Sequence, residues 1–401
     1  MIGRDPGEAH RVATPLELLF DLTFVIAFGT AATELAHGIA EGHVGAAVSA
    51  FLFAVFAVAW AWINFTWFAS AYDNDDWLYR LTTMLQMAGA LVFALGLPAM
   101  FHSFYVGVTV DNGVMVVGYV IMRSAMVLHW WRASKHDPAR RPALRVYLVS
   151  IVVAQTMWCV IAALHLNIPV TLAIMAIPYA IEILGPVIAE LRRGGTPWHP
   201  HHVAERNGLM MIIALGEGLI GTMAGLTAAA RHGLTLDVVV LAFAGTVLTF
   251  GLWWAYFVVP HGEMLALWRR RSFTWGYGHI GLFGGVVAIG AGLDAAAYYL
   301  EGESLVGLVG SVEAVAVPLG AYLLLFYGLY AGFSLSFDPF HLLLIAASAV
   351  VIAAALALAS AGVPLHWDLA VLALTPWVTV VGYETVGHRH NDALLARAES
   401  A

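Results

Sequence analysis

Two carboxylates, Glu17 and Asp21, stand four residues apart in the first long apolar stretch of the chain. Residues four apart lie on the same face of an α-helix, and two carboxylates on one face can bind a cation or share a proton. The spacing therefore predicts that Asp21 belongs to a binding site or a buried polar network. Glu17 has a second interpretation, because the run Thr14-Pro15-Leu16-Glu17 fits a capping box that satisfies the first amides of a helix.

A third carboxylate, Glu217, lies near the middle of another apolar stretch, about twelve residues or roughly 18 Å of helix beyond Glu205 and Arg206. Its three flanking glycines would allow another helix or a ligand to approach the backbone closely. Two interpretations remain open, a site formed together with Asp21 or a packing face with one protonated carboxyl group. Glu205 and Arg206 are interpreted as pairing with their neighbours.

Arg123 is the basic residue deepest in an apolar stretch. It is predicted to be the counter-charge of Asp21 or Glu217, in a structural salt bridge or an anion site. A charge held at the centre of a membrane helix costs at least about 2.5–3.5 kcal/mol, so the other ionisable residues there are also site candidates. They are Glu182, His279, Asp294, Glu313 and Glu384.

Two of these candidates have specific interpretations. His279 is interpreted first as a core histidine with satisfied hydrogen bonds and second as a ligand. Asp294 lies at a depth comparable with that of Glu313, which would allow a second acidic site or one continuous proton path.

Four tryptophans form the remaining candidate site: Trp60 and Trp62 in one stretch, and Trp253 and Trp254 in another. They are predicted to line a shared aromatic cavity for an organic or cationic ligand. The alternative is that they anchor the helices at the membrane interface.

Two polar loops have metal-binding composition. The run Asp73-Asn74-Asp75-Asp76 could hold Mg²⁺ together with phosphates, although a solvated loop is the preferred interpretation. The run His199-Pro200-His201-His202 could hold Zn²⁺ or Cu²⁺, but its prolines favour an extended loop. No metal site is therefore predicted, and the sequence identifies no cofactor.

The elements that must position these side chains are membrane helices. Of 401 residues, 61% are hydrophobic and 11% are charged, whereas soluble domains have about 45–50% apolar and about 25% charged residues. Strict two-residue alternation is missing, which excludes barrel strands. The apolar runs predict about twelve transmembrane helices, near 14–37, 43–69, 77–101, 112–131, 143–164, 166–190, 203–230, 234–259, 272–299, 304–331, 339–361 and 364–386.

Basic residues predict the orientation, because they are retained on the cytoplasmic side. They lie before the first predicted helix, after the second, fourth, sixth and eighth, and at the end of the chain, and only Arg231 falls in an outer loop. Both termini are therefore predicted to be cytoplasmic, in an inner (plasma) membrane. The polar N-terminal segment does not resemble a cleavable signal peptide.

An internal repeat is predicted from a shift of about 196 residues, which superposes Asp21 on Glu217 and the pair Gly96-Leu97 on Gly292-Leu293. Residues 1–195 and 196–401 would then be two six-helix repeats. Because six is even, both would have the same orientation in the membrane. The fold class predicted is thus an all-α polytopic membrane protein built from two parallel-oriented repeats.

Three segments carry a family resemblance. Residues 14–25 (TPLELLFDLTFV) resemble the opening signature of the bacterial low temperature requirement A (LtrA) family. Residues 204–208 (AERNG) with 214–217 (ALGE), and 277–279 (YGH) with 292–294 (GLD), are similar to two further hallmarks, apart from Asn207, where a larger or aromatic residue is expected. The resemblance implies a multi-helix membrane protein linked to growth in the cold, without an agreed chemistry.

Three functions are compatible with these features. The first is a transporter or channel-like protein for an ion or small solute, using the buried carboxylates. The alternative is a membrane-embedded enzyme acting on a lipid-soluble substrate, and the third is a protein whose charges only organise packing. The partners predicted are the lipid bilayer and a small-molecule or ion ligand; a homo-oligomer is left open. Nucleic acid is excluded, because the net charge is −8 and no basic stripe is present.

Overall fold

The computed structural model describes residues 1–8, 11–230, 233, 235–336 and 338–399. This part of the chain is helical and contains no β-strand, only an isolated bridge between Thr109 and Asn167. The predicted all-α class is therefore confirmed. Arg231, on which part of the orientation argument depends, lies outside the described residues.

Sixteen α-helices follow one another along the described chain. They are α1 (Pro15–Ala40), α2 (Val44–Tyr72), α3 (Trp77–Leu95), α4 (Leu97–Val106), α5 (Gly113–His136), α6 (Arg141–Ala163), α7 (Ile168–Arg192), α8 (Pro200–Ala230), α9 (Leu236–Phe257), α10 (His261–Leu267), α11 (Ser272–Glu301), α12 (Gly307–Ser334), α13 (Pro339–Ser360), α14 (Leu365–Leu372), α15 (Thr375–Gly382) and α16 (His388–Glu399). A 3-10 turn at Arg269–Arg271 precedes α11, and a π-helical turn at Tyr383–Gly387 precedes α16.

Twelve segments of the described chain are long and apolar enough to cross a membrane, which confirms the predicted number. Three of them combine consecutive helices: α3 with α4, α9 with α10, and α14 to α16. The break between α3 and α4 falls at Gly96, next to Pro98, where proline removes a backbone donor and interrupts the hydrogen-bond ladder. The orientation of the termini stays a prediction.

The chain divides into two compact units. The first unit comprises residues 1–31 and 46–206, and the second comprises residues 32–45 and 207–401. Within the first unit, α5 packs on both α3 and α6, and α6 packs on α7. Within the second, α12 packs on α11 and α13, while α9 packs on α14 and α15. This division rests on contacts and not on superposition, so the two-repeat architecture stays a prediction.

Glycine allows the closest helix approach in the first unit. A Cβ atom on Gly118 of α5 would lie 2.6 Å from the backbone oxygen of Gly89 and 2.7 Å from the Cα of Phe93, both on α3. No side chain fits at such distances, and small residues at a crossing point are the usual way for membrane helices to pack closely. The contact fixes α3 against α5, and these two helices carry Tyr79 and Arg123, which belong to the polar groups described next.

Candidate functional site

Helices α1 and α8 bring four ionisable side chains together in the first unit. We call Glu17, Asp21, His202 and Arg206 the charge cluster. Arg206 Nη1 lies 2.9 Å from Glu17 Oε1, and His202 Nε2 lies 3.1 Å from the same oxygen. On each helix the two residues are four apart and therefore on one face, so an acidic pair on α1 meets a basic pair on α8.

Asp21 occupies the inner end of the charge cluster. Its Oδ1 accepts a hydrogen bond of 2.6 Å from Trp62 Nε1 on α2 and a second one from Arg206 Nη2. Its Oδ2 is buried and accepts no hydrogen bond from any residue that the structure describes. The rings of Trp62 and Phe65 lie 5.6 and 5.9 Å from the guanidinium carbon of Arg206, within the range of a cation–π interaction.

Glu17 caps the start of α1 and also belongs to the charge cluster. Its Oε2 accepts a hydrogen bond of 2.7 Å from the amide of Thr14, whose Oγ1 accepts one of 3.3 Å from the amide of Glu17. The predicted capping box is therefore confirmed. Because the other carboxylate oxygen contacts Arg206 and His202, the residue that begins α1 also joins α1 to α8.

The charge cluster has one permanent positive charge for two carboxylates. All four side chains are fully buried, and the imidazole of His202 adds a second positive charge only when it is protonated. An uncompensated charge buried in a low-dielectric interior costs several kcal/mol. One bound proton would make the cluster neutral.

A second buried ion pair lies deeper in the first unit. Arg123 Nη2 of α5 lies 3.3 Å from Glu182 Oε1 of α7. The hydroxyl of Tyr119 lies 2.9 and 2.8 Å from the two carboxylate oxygens of Glu182 and also accepts a hydrogen bond from Arg123. One acid and one base are matched here, so this pair has no charge left over.

The partner of Arg123 corrects a prediction from the sequence. Asp21 or Glu217 was expected, but Arg123 pairs with Glu182, and Asp21 pairs with Arg206. The physical reason is depth along the helices. Asp21 lies six residues from the start of α1, about 9 Å, whereas Arg123 lies thirteen residues from the end of α5, roughly 20 Å at 1.5 Å per residue.

The aromatic cavity shared by all four tryptophans stays a prediction, and the structure describes the surroundings of each pair separately. Trp60 lines a cavity of about 30 Å³ in the first unit, beside Asn112, Tyr119, Trp158, Tyr179 and Glu182. This volume suits a water molecule and not an organic ligand. Trp62 instead hydrogen-bonds to Asp21.

The other two tryptophans belong to the second unit. Trp253 and Trp254 line an open groove of about 510 Å³ there, together with Trp377. Both are partly exposed, and the indole of Trp254 donates a hydrogen bond of 3.1 Å to Glu384.

The remaining candidates also lie in the second unit. Glu217 of α8 is 6% exposed and has no hydrogen-bond or ion-pair partner within the described ranges. The nearby carboxylate of Asp294 on α11 adds charge repulsion. As expected from the flanking glycines, the backbone of Glu217 packs closely on Gly290 of α11. Glu313 is exposed on α12, and a combined site of these acids stays a prediction.

His279 agrees with its first interpretation. Its Nδ1 lies 2.7 Å from the backbone oxygen of Trp275, and its Nε2 lies 2.9 Å from the hydroxyl of Tyr256. Both ring nitrogens are thus hydrogen-bonded inside the second unit, as in a core histidine.

Two of the three aspartates in the loop between α2 and α3 form hydrogen-bonded ion pairs with arginines. Asp76 pairs with Arg132 and also caps α3 through the amide of Tyr79 at 2.9 Å. Asp75 pairs with Arg80. These hydrogen bonds to arginine lower the pKa of Asp76 and of Asp75. A loop whose carboxylates already contact arginines agrees with the non-metal interpretation.

Arg206 and His202 are the site residues that sequence reasoning missed. From the sequence, Arg206 is expected to pair with its neighbours, and His202 belongs to a histidine run that is interpreted as an extended loop. The spacing contained the signal, because a basic pair four residues apart on one helix complements an acidic pair four apart on another. Glu190 was also missed; it accepts hydrogen bonds from Tyr147 at 2.9 Å and from Thr196 at 2.6 Å.

The fold and these buried groups define a polytopic helical membrane protein with ionisable side chains inside its spans. The chain belongs to the family described as bacterial low temperature requirement A protein (LtrA), which it matches over residues 12–376. It is also similar to the uncharacterized protein RA0937 of Rhizobium meliloti (strain 1021). The two are 27% identical over 293 residues, which cover 69% of this chain and 68% of the relative.

Proposed function

We propose that the protein conducts protons across the membrane through the first unit and that Asp21 carries the proton within the charge cluster. The observation that carries the proposal is two fully buried carboxylates opposed by one guanidinium. A proton supplies the missing positive charge. A site whose neutrality depends on an ion is suited to binding and releasing that ion.

Asp21 is the carboxylate that takes up the proton. Both carboxylates accept hydrogen bonds, which favour the charged form, but the oxygen of each that accepts none has different surroundings. Glu17 Oε1 has Arg206 Nη1 at 2.9 Å and His202 Nε2 at 3.1 Å, and these positive or polar neighbours oppose a proton there. Asp21 receives its donors at Oδ1 alone, so a proton at Oδ2 displaces no existing hydrogen bond.

A proton fits this site better than a metal cation. Arg206, His202 and Trp62 all direct nitrogen donors at the carboxylates, whereas hard cations require a shell of oxygen ligands. The described part of the chain contains no group of three or more side chains placed to hold a metal ion. The nitrogen-rich surroundings therefore support the proton as the ion.

Further polar groups continue from the charge cluster along the first unit. Tyr79, Thr83 and Gln86 lie on one face of α3 and are buried, and each has a polar atom without a hydrogen-bond partner among the described residues. Water is the usual partner of such groups. Glu182 lies ten residues from the end of α7, about 15 Å, near mid-membrane.

The cavity beside Glu182 extends this series toward Asn112, just before α5 begins. Polar groups are therefore spaced from one end of the helices to the other, as a proton path requires. The proposal places both termini in the cytoplasm of a bacterium, with the charge cluster near the cytoplasmic face of the inner membrane. A link to growth at low temperature, which the family description names, would be tested by deleting the gene and scoring growth in the cold.

The test is proton flux into liposomes that contain the purified protein and a trapped pH-sensitive dye. A potassium gradient with valinomycin sets the driving voltage. We expect wild-type protein to carry protons well above protein-free liposomes. Asp21→Asn should lower the flux at least tenfold, because the amide cannot release a proton to the next group.

Glu303→Gln is the matched control, since it neutralises an exposed carboxylate between α11 and α12. It should conduct like wild type. Wild-type liposomes that conduct no faster than empty ones, with the protein shown to be folded, would refute the proposed function. Equal flux through Asp21→Asn and wild type would refute the role of Asp21.

The geometry offers less support for the enzyme alternative. Its proposed metal loop has Asp75 and Asp76 paired with arginines. The cavity next to Glu182, at about 30 Å³, has room for a water molecule and is too small for a lipid-soluble substrate.

A further inference from the structure

Asp73 differs from the other aspartates of its loop. It follows directly after α2, outside the membrane-spanning segments, yet it is only 3% exposed. Its Oδ1 accepts a hydrogen bond of 2.9 Å from the amide of Asp75. Its Oδ2 lies 3.9 Å from Arg11 Nη2, too far for a hydrogen bond. This oxygen of Asp73 therefore has an ion-pair partner but no hydrogen bond among the described residues, so it can accept a proton at the loop end of the first unit.

Tyr79 carries a buried hydroxyl on which the charges of both Asp73 and the charge cluster act. The side chain is fully buried, and its hydroxyl has no hydrogen-bond partner in the described part of the chain. The charges of Asp73 and Glu17 both act on this hydroxyl, and so does that of Arg206. A tyrosine hydroxyl can donate and accept at the same time, so it can pass a proton between two carboxylates, directly or through one water.

We infer that Asp73 exchanges protons between the loop side of the membrane and the charge cluster, with the hydroxyl of Tyr79 as the relay into the cluster. This inference rests on the proposed function and assigns the access point and the pH control of the same path. A proton from the loop side binds to Asp73. It moves along hydrogen bonds through the Tyr79 hydroxyl, which gives up one proton as it receives another, and enters the cluster.

The electrostatic surroundings of Asp73 set the pH at which this exchange occurs. Burial, and next the negative charge of Glu17, raise the pKa of Asp73 to about 6. An acid with this pKa gains and loses protons close to neutral pH, whereas its neighbours Asp75 and Asp76 stay ionised. The charged and titratable groups that face Asp73 come from the N-terminal segment, α1 and α3, and they are Arg4, Arg11, Glu17, Tyr79 and Arg80.

The experiment records voltage-driven proton flux in liposomes while the pH is changed equally on both sides. Wild-type flux should rise as the pH falls through about 6, because Asp73 becomes protonated there. Asp73→Asn should lower the flux at least tenfold at pH 6, and the rise in flux with falling pH should disappear. Asp73→Glu keeps a carboxyl group at this position, so the rise in flux with falling pH should remain. Added formate, a small weak acid, should restore part of the flux through Asp73→Asn.

Tyr79→Phe provides an independent variant, because it removes the hydroxyl while keeping the ring that packs beside Phe65. It should slow the proton flux several-fold without changing the pH at which the flux is half of its maximum. The inference would be overturned if Asp73→Asn and Tyr79→Phe both showed the proton flux and pH profile of the wild type while Asp21→Asn blocked conduction. That result would not contradict the proposed function. Absence of wild-type flux would overturn the proposed function itself.

Discussion

Replacing Arg206 by glutamine should destabilise the protein by about 3–5 kcal/mol, the usual cost of removing one partner from a buried ion pair. The side chain is fully buried between Glu17 and Asp21. Without it, two carboxylates remain in an apolar interior with no cation, and both must be protonated or hydrated. Chemical unfolding in detergent micelles, followed by circular dichroism, measures the loss.

A second substitution distinguishes charge from packing. Arg206→Gln combined with Glu17→Gln leaves one carboxylate that a single proton neutralises, so it should recover part of the stability lost in Arg206→Gln. Arg80→Gln is the matched control, because Arg80 and Asp75 are about half exposed, and such surface pairs contribute about 0–1 kcal/mol. Equal losses for Arg206→Gln and Arg80→Gln would contradict the assignment of a buried charge cluster.

The second large effect concerns the ion pair between Arg123 and Glu182. Arg123→Gln should cost about 3–5 kcal/mol, and Glu182→Gln a comparable amount, because each change leaves one buried charge without its partner. The double variant leaves neither charge and should be more stable than either single variant. The same unfolding measurement, arranged as a double-mutant cycle, gives the coupling between the two side chains.

Additive losses in this cycle would contradict the pairing of Arg123 with Glu182. Unfolding measurements at different pH values also test whether the Arg123–Glu182 pair and the charge cluster differ in net charge. The Arg123–Glu182 pair is already neutral, so its stability should depend little on which ion is present. The charge cluster holds an excess carboxylate, and its stability should increase when the cluster is protonated.

The sequence was sufficient for the helices and for part of the site. Long apolar runs can be satisfied in lipid only by helices, so twelve spans were predictable, and the capping box at Glu17 was recognisable from four consecutive residues. Asp21 stood out because nothing local accounted for a carboxylate at that position.

The pairing of charges was harder to predict. Which guanidinium meets which carboxylate depends on helix neighbours and relative depth, and these are set by packing between distant segments. Close contacts such as that of Gly118 with α3 fix this packing, and no local pattern shows it. Arg123 was therefore given the wrong partner, and Arg206 was overlooked.

The different surroundings of two tryptophans could have been predicted from the sequence. Trp60 and Trp62 are two residues apart, and at 3.6 residues per turn they point to nearly opposite sides of α2. In the structure Trp60 lies beside Glu182, while Trp62 binds Asp21.

The most direct test of the central claim is infrared difference spectroscopy of the reconstituted protein at neutral pH, wild type against Asp21→Asn. A protonated carboxyl group has a carbonyl band separate from the bands of carboxylates. We predict that this band is present in the wild-type protein, is lost in Asp21→Asn, and is unchanged in the exposed control variant Glu303→Gln. A spectrum in which Asp21→Asn removes only carboxylate bands would show that the cluster holds no proton on Asp21 and would contradict the account.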